Sequence, residues 1–343
     1  MHKIRPVNRV NPDLFPLSVS QIPRALSLQR HAQPLLCRKS AIPSVQSPES
    51  KMLQSNLTRD ISYATSARTK PGRALIRVLE NVSGRRQLIN RASGYEGEIA
   101  QGRSFWQVIP ERYGLSLDIT AGALGNVPRQ GPLVLIANHP YGILDGLMMG
   151  HLLDTIRGDF RILSNAVFRR AEALNKVLLP ISFDETKEAV KLNLETRATA
   201  LQYLSEGGAI GIFPGGTVST SLKPFSRPMD PSWRNFTAKM IAKSNATVVP
   251  IYFEGHNSRL FQLASRIHSN LRLALLLKEF KSRTDTPVRV VIGQPIPTQT
   301  IQSLKSDPTA MMETLRQATY ALSPAPLPSY ALGYEFEAKY KSR

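Results

Sequence analysis

Cysteine is almost missing from this chain. Cys37 is the only one in 343 residues, which excludes an internal disulfide and any cluster of thiolate metal ligands. Acidic residues are also scarce, 25 against 44 Lys plus Arg, which leaves a formal charge of +19. Such an excess favours an anionic partner, either nucleic acid or an anionic membrane surface. Aromatic residues make up 7%, and no DNA- or RNA-binding fingerprint accompanies the charge. No apolar run approaches the ~18 residues of a spanning helix, so a role at a bilayer is expected to be peripheral. There is no Gly-x-Ser-x-Gly elbow, no P-loop, no His-Glu-x-x-His and no paired-Cys site, which argues against serine hydrolase, nucleotide-phosphate and zinc chemistry.

Residues 1–70 are rich in Pro, Ser and Arg and follow no period. Between Met1 and Lys51 the only acids are Asp13 and Glu49. This segment reads as a basic disordered leader, either a targeting peptide or translated upstream sequence ahead of a start at Met52. Residues 71–330 read as one domain and 331–343 as a tail. Within the domain, short apolar runs predict strands over 133–137, 160–163, 209–213, 247–253 and 288–292. Helical spacing predicts helices over 73–79, 94–113, 147–153, 167–178, 187–205, 233–244 and 259–280. In the fifth of these, Val190, Leu194, Ala198, Leu201 and Leu204 form the expected core stripe. Strands alternating with helices imply an α/β fold with a mixed, largely parallel sheet covered by helices.

Three stretches carry chemistry. The first is Asn138-His139-Pro140-Tyr141-Gly142-Ile143-Leu144-Asp145-Gly146. It places a His and an Asp on a turn between a predicted strand and helix, where open α/β sheets site their chemistry. A His beside a carboxylate serves as a general base near neutral pH. The plainer reading is that Asp145 caps the next helix. The second stretch is Phe213-Pro214-Gly215-Gly216-Thr217-Val218-Ser219-Thr220-Ser221. Its glycines let backbone N–H groups approach an anion, and its hydroxyls add hydrogen bonds; an ordinary Gly-rich turn would look the same. The third runs from Val248-Val249-Pro250 to Glu254-Gly255-His256-Asn257-Ser258, a core strand with Ser258 placed to cap a helix.

In this order and spacing the three stretches resemble the conserved blocks of the glycerolipid acyltransferases, the lysophosphatidic acid acyltransferase-like superfamily. The five residues between His139 and Asp145 match the bacterial lysophospholipid acyltransferase branch near the hemolysin-like and ornithine-lipid acyltransferases. The resemblance covers about residues 100–297, with 160–170, including Arg169 and Arg170, a looser match to a further block. It implies a glycerol-3-phosphate acyltransferase-like fold and transfer of a fatty acyl group from a thioester, acyl-CoA or acyl carrier protein, to a lysolipid hydroxyl. His139 and Asp145 would be catalytic, and Asn138, Gly142, Gly215, Gly216, Thr217 and Ser219 would bind substrate. No metal or other cofactor is implied. The family usually has Glu and Arg where Gly215 and Val218 stand, so a different acceptor is expected, such as a lyso-aminolipid. Lys223 or Arg227 would then supply headgroup charge. The expected location is cytoplasmic, on the inner face of the cell membrane, and no nucleic acid is expected. The competing class is a basic nucleic-acid-binding or non-catalytic membrane-binding protein. Residues 259–281 interleave apolar side chains with Arg259, Arg266, Arg272, Lys278 and Lys281, a pattern expected to lie on a bilayer; the plainer reading is a core helix with a basic solvent face.

Overall fold

The computed structural model describes residues 64, 69–165, 172–182 and 186–337. The expected leader lies almost wholly outside these residues, as do Arg169 and Arg170. Among the described residues the first elements are the helices α1 (Lys70–Val82), α2 (Arg85–Ala92), α3 (Tyr95–Ala100) and α4 (Phe105–Arg112). There follow β1 (Ser116–Gly122), β2 (Leu133–Ala137), α5 (Ile143–Arg157), β3 (Arg161–Asn165), α6 (Glu172–Asn175), β4 (Leu178–Ile181), α7 (Lys187–Ser205) and β5 (Ala209–Ile212). A two-residue hairpin, β6 (Thr220–Ser221) and β7 (Pro228–Met229), leads into α8 (Asn235–Lys243) and β8 (Thr247–Phe253). The chain continues through α9 (Arg259–Ile267), α10 (Ser269–Lys281), β9 (Pro287–Ile292), α11 (Thr298–Ser303) and α12 (Pro308–Tyr320).

The main sheet has the order β1-β9-β8-β2-β5-β3-β4. Every pairing is parallel except β8 with β9, so the sheet is mixed and largely parallel, as expected. Because strand side chains alternate, β2 feeds two cores. Leu133, Leu135 and Ala137 pack with α2, α4 and α5, through residues such as Leu88, Trp106 and Met148. Val134 and Ile136 pack with α7, α8 and α12, through Leu204, Met240 and Met311. Both faces are covered, which is why β2 reads as an unbroken apolar run.

Several local expectations need correction. Residues 94–113 form two helices, separated at Gly102 and recapped by Ser104, whose hydroxyl accepts the Trp106 amide. Leu178 opens strand β4 rather than ending a helix. Strand β1 has no matching expectation; it is an edge strand with little buried surface. The stripe of α7 is also displaced. Val190 and Leu194 are exposed, and Ala189, Thr196, Ala200 and Leu204 face inward. Residues 259–281 form two helices broken at His268, and Arg272 points into the protein instead of toward solvent. Of the expected tail, residues 331–337 are described, and Gly333 and Tyr334 donate their amides to the Asp230 and Thr220 carbonyls beside the β6–β7 hairpin.

Candidate active site

The central strands β8, β2 and β5 are parallel neighbours, so their carboxyl ends open side by side. That geometry gathers the three sequence stretches in one place. Asn138 follows β2 and reaches to the end of β8. Its Nδ2 donates to the Phe253 carbonyl at 2.9 Å and its Oδ1 accepts the Phe253 amide at 2.7 Å. Both ends of this amide are thus spent on fixing the turn to the neighbouring strand, which gives Asn138 a positioning role. His139 comes next and stacks on Phe213 from the end of β5, with centroids 4.2 Å apart and planes 25° apart.

His139 Nδ1 lies 3.0 Å from Asp145 Oδ2. The approach is off-axis, so Nδ1 is close to the carboxylate but has no well-aligned hydrogen bond. Asp145 is fully buried, whereas 18% of the His139 side chain reaches solvent. Asp145 Oδ2 also accepts the amides of Tyr141 at 2.8 Å and Gly142 at 2.9 Å. Asp145 therefore caps α5 and faces the imidazole with the same oxygen, so the two readings of this residue describe one arrangement. A helix N-terminus favours negative charge in that position. Gly142 sits at φ 89°, a left-handed conformation, and a Cβ there would come within 3.0 Å of Val218 and 3.2 Å of Leu276.

The glycine stretch closes over the turn from the other side. The Ser219 amide donates to the His139 carbonyl at 2.8 Å. Its hydroxyl donates to Asp230, which in turn accepts the His139 amide at 3.2 Å and the Trp233 indole N–H at 2.9 Å. His139 is clamped at both backbone groups. Burial pushes the Asp230 carboxyl above its ordinary value, and its three donors together with the nearby His139 pull the other way. Gly215 passes the Asp230 side chain closely, and the Gly216 amide is used within the loop, donating to Phe213 at 3.0 Å.

Val218 is buried among Ile76, Phe261, Ala274 and Leu276, so apolar packing fills the position where the family usually has arginine. A guanidinium nevertheless reaches this loop from α10. Arg272 donates to the hydroxyls of Thr217 and Thr220, each at 2.7 Å, and to the Val218 carbonyl at 2.8 Å. Among the described residues it ion-pairs with no carboxylate; the Phe336 and Phe261 rings cover it at 4.3 Å and 5.3 Å. Burial lowers its pKa to about 9. Residues 333–336 form a strap over the same loop. Gly333 and Tyr334 donate their amides to the carbonyls of Asp230 and Thr220, and Glu335 pairs with Arg234 at 2.8 Å.

Of the residues named from sequence, His139, Asp145, Asn138, Gly142, Gly215, Gly216, Thr217 and Ser219 converge around this turn. Lys223 stays on the exposed hairpin tip. Arg227 is also on the hairpin and donates to the Tyr252 hydroxyl at 3.0 Å. Asp230 and Arg272 were not anticipated. Asp230 had one available signal, as the only acid between Glu206 and Glu254.

With this geometry in view, a family model described as Acyltransferase matches residues 75–325. The lyso-glycine lipid O-acyltransferase of Phocaeicola vulgatus is 25% identical over 215 residues, 61% of this chain and 74% of its own. The lyso-glycine lipid O-acyltransferase of Bacteroides thetaiotaomicron is 27% identical over 217 residues, 61% of this chain and 76% of its own. The crystal structure of the 1-acyl-sn-glycerophosphate (LPA) acyltransferase PlsC from Thermotoga maritima is similar with a TM-score of 0.40 and 15% identity. That match covers 81% of this chain and 99% of the other.

Proposed function

This chain belongs to the acyltransferase family whose model spans residues 75–325, and from that premise we propose that it transfers a fatty acyl group to the hydroxyl of a lysolipid. The observation that carries the reading is the His139–Asp145 pair, 3.0 Å apart, with the carboxylate sealed and the imidazole open to solvent. His139 takes the acceptor hydroxyl proton through Nε2 as the oxygen attacks the acyl carbonyl. Asp145 holds the ring and stabilises the imidazolium that forms. The acceptor itself is the nucleophile, so no acyl-enzyme is required; the acyl–sulfur bond breaks as the new ester C–O bond forms, and the imidazolium gives its proton to the departing thiolate. The donor fitting this chemistry is an acyl thioester, carried by coenzyme A or an acyl carrier protein. With the Tyr141, Gly142 and Gly216 amides already donating to Asp145 and Phe213, the oxyanion is assigned to the other backbone N–H groups of the glycine loop, Gly215 and Thr217.

The acceptor proposed is a lyso-aminolipid such as a lyso-glycine lipid. Two observations support that choice over lysophosphatidic acid: Val218 lies in apolar packing, and the two curated relatives carry lyso-glycine lipid in their names. No helix of the described residues is long and apolar enough to cross a membrane, so the enzyme is proposed to meet its acceptor peripherally. The test incubates the purified chain with an acyl thioester and a panel of lysolipids, followed by mass analysis. Expected is a diacylated product favouring lyso-aminolipids. Exclusive use of lysophosphatidic acid would overturn the acceptor assignment, and no product from any lysolipid would overturn the reaction.

A further inference from the structure

A cavity of about 520 Å³ shares a wall with the histidine turn. Glu254 and Asn257 line it, and both hold Tyr141. The Tyr141 hydroxyl donates to the Glu254 carbonyl at 2.7 Å, and Asn257 Nδ2 donates to the Tyr141 carbonyl at 3.4 Å. Arg227 from the hairpin and Arg259 and Arg266 from α9 line the same space. Among the described residues none of these three ion-pairs with a carboxylate; Glu254, the one acid in the lining, is taken by Arg289 at 3.3 Å. Arg266 also lies over the Tyr334 ring, 5.5 Å from its centroid. Like charges around one cavity repel, and an anion seated among them relieves that repulsion.

The rim points to the kind of anion. Phe225, which also lines the cavity, is 76% exposed at the hairpin tip and sits at φ 66°. A bulky aromatic holds that left-handed conformation only where its surroundings enforce it. Leu263 lines the cavity from α9, and Leu260 and Ile267 of the same helix are exposed, Ile267 by 75%. Arginines in a cavity lined by Phe225 and Leu263, with Leu260 and Ile267 exposed on the same helix as Leu263, suit the headgroup–acyl boundary of a bilayer.

We propose that this cavity seats the phosphate of an anionic membrane phospholipid, while Phe225, Leu260, Leu263 and Ile267 enter the bilayer interface around it. The inference rests on the reading above only in taking the acceptor to be a membrane lipid. A soluble phosphate would satisfy the arginines but leave the apolar rim without a role.

The test is cosedimentation of the full chain with phosphatidylcholine vesicles, with or without phosphatidylglycerol. It compares the wild type with an Arg259→Gln/Arg266→Gln double variant and with Phe225→Ser. The wild type is expected to prefer anionic vesicles. The double variant should bind them roughly 30-fold more weakly, with a flatter salt dependence. Phe225→Ser should weaken binding to both vesicle types with no change in melting temperature. Activity on an acceptor dispersed in detergent should stay at the wild-type level in all three proteins. Unchanged vesicle binding in both variants would overturn the proposal. So would displacement of bound vesicles by inorganic phosphate or free coenzyme A at low millimolar concentration, since the cavity would then serve a soluble anion. Loss of vesicle binding in the variants, with no acylation by the wild type in detergent, upholds the cavity and overturns the acyl-transfer reading instead.

Discussion

Asp230 holds His139 by its backbone, accepting at 3.2 Å the amide of this histidine 91 positions earlier in the chain. The carboxylate facing the imidazole, Asp145, is a different one. Two acids thus serve one histidine, Asp145 facing its ring and Asp230 accepting from its main chain.

His139→Ala should lower acyl transfer by about two to four decades, the usual contribution of a positioned base. Asp145→Asn keeps an oxygen to cap α5 but removes the charge facing the ring, so a comparable loss is expected with a folded protein. Thioester release by the purified variants, with circular dichroism to confirm folding, decides. Near-normal turnover in the His139 variant would remove it as the base.

Asp230 makes a pH-dependent stability prediction. Its folded pKa is raised above the ordinary 3.8, burial being the largest cause. The folded state therefore holds this proton more tightly than the unfolded chain. Its contribution to stability is fully present below the ordinary value and is lost as pH rises through the folded value. Asp230→Asn cannot ionise. The stability of the wild type relative to this variant should fall as pH climbs above about 4 and level off beyond the raised pKa. Urea unfolding of both proteins across that range measures the difference, and a constant gap would contradict the prediction.

Arg272→Lys should not rescue Arg272→Gln. One ammonium lacks the fork needed to reach Thr217, Thr220 and the Val218 carbonyl together. Both variants should lose about 2 kcal/mol or more, the scale of hydrogen bonds to a charged donor. Both should also lose turnover as the glycine loop loosens over His139. Full activity in the lysine variant would show that point charge, not geometry, is what the loop requires.

The sequence was most legible where one physical signal dominated. Strands β2 and β8 and helix α7 were read with the observed bounds, because a strand buried on both faces is a short apolar run and α7 is bounded by Thr186 and Gly207. Strand β1 was not read, since it is an edge strand whose Leu117 and Ile119 are only half-buried. The pairing of His139 with Asp145 was legible because both lie on one turn. Asp230 and Arg272 were not, because their partners are distant in the chain. Arg272 sits in a stripe that looks solvated, and only the arrival of Phe261 and Phe336 on its faces buries it. Asp230 beside Pro231 looks like a turn residue until Ser219, Trp233 and the His139 amide converge on it.

The strap has a consequence for the newborn chain. Gly333 lies 103 residues beyond the Asp230 carbonyl it supports, and Tyr334 lies 114 beyond Thr220. Chains leave the ribosome amino end first, so the histidine turn emerges and can fold long before the segment that backs it. A Cβ on Gly333 would meet the Met229 carbonyl at 1.8 Å, so only glycine lets the strap lie this close to the hairpin. The strap residues are made after the residues they back, so the order of synthesis sets when the Asp230 carbonyl gains its donor and Arg272 its Phe336 cover.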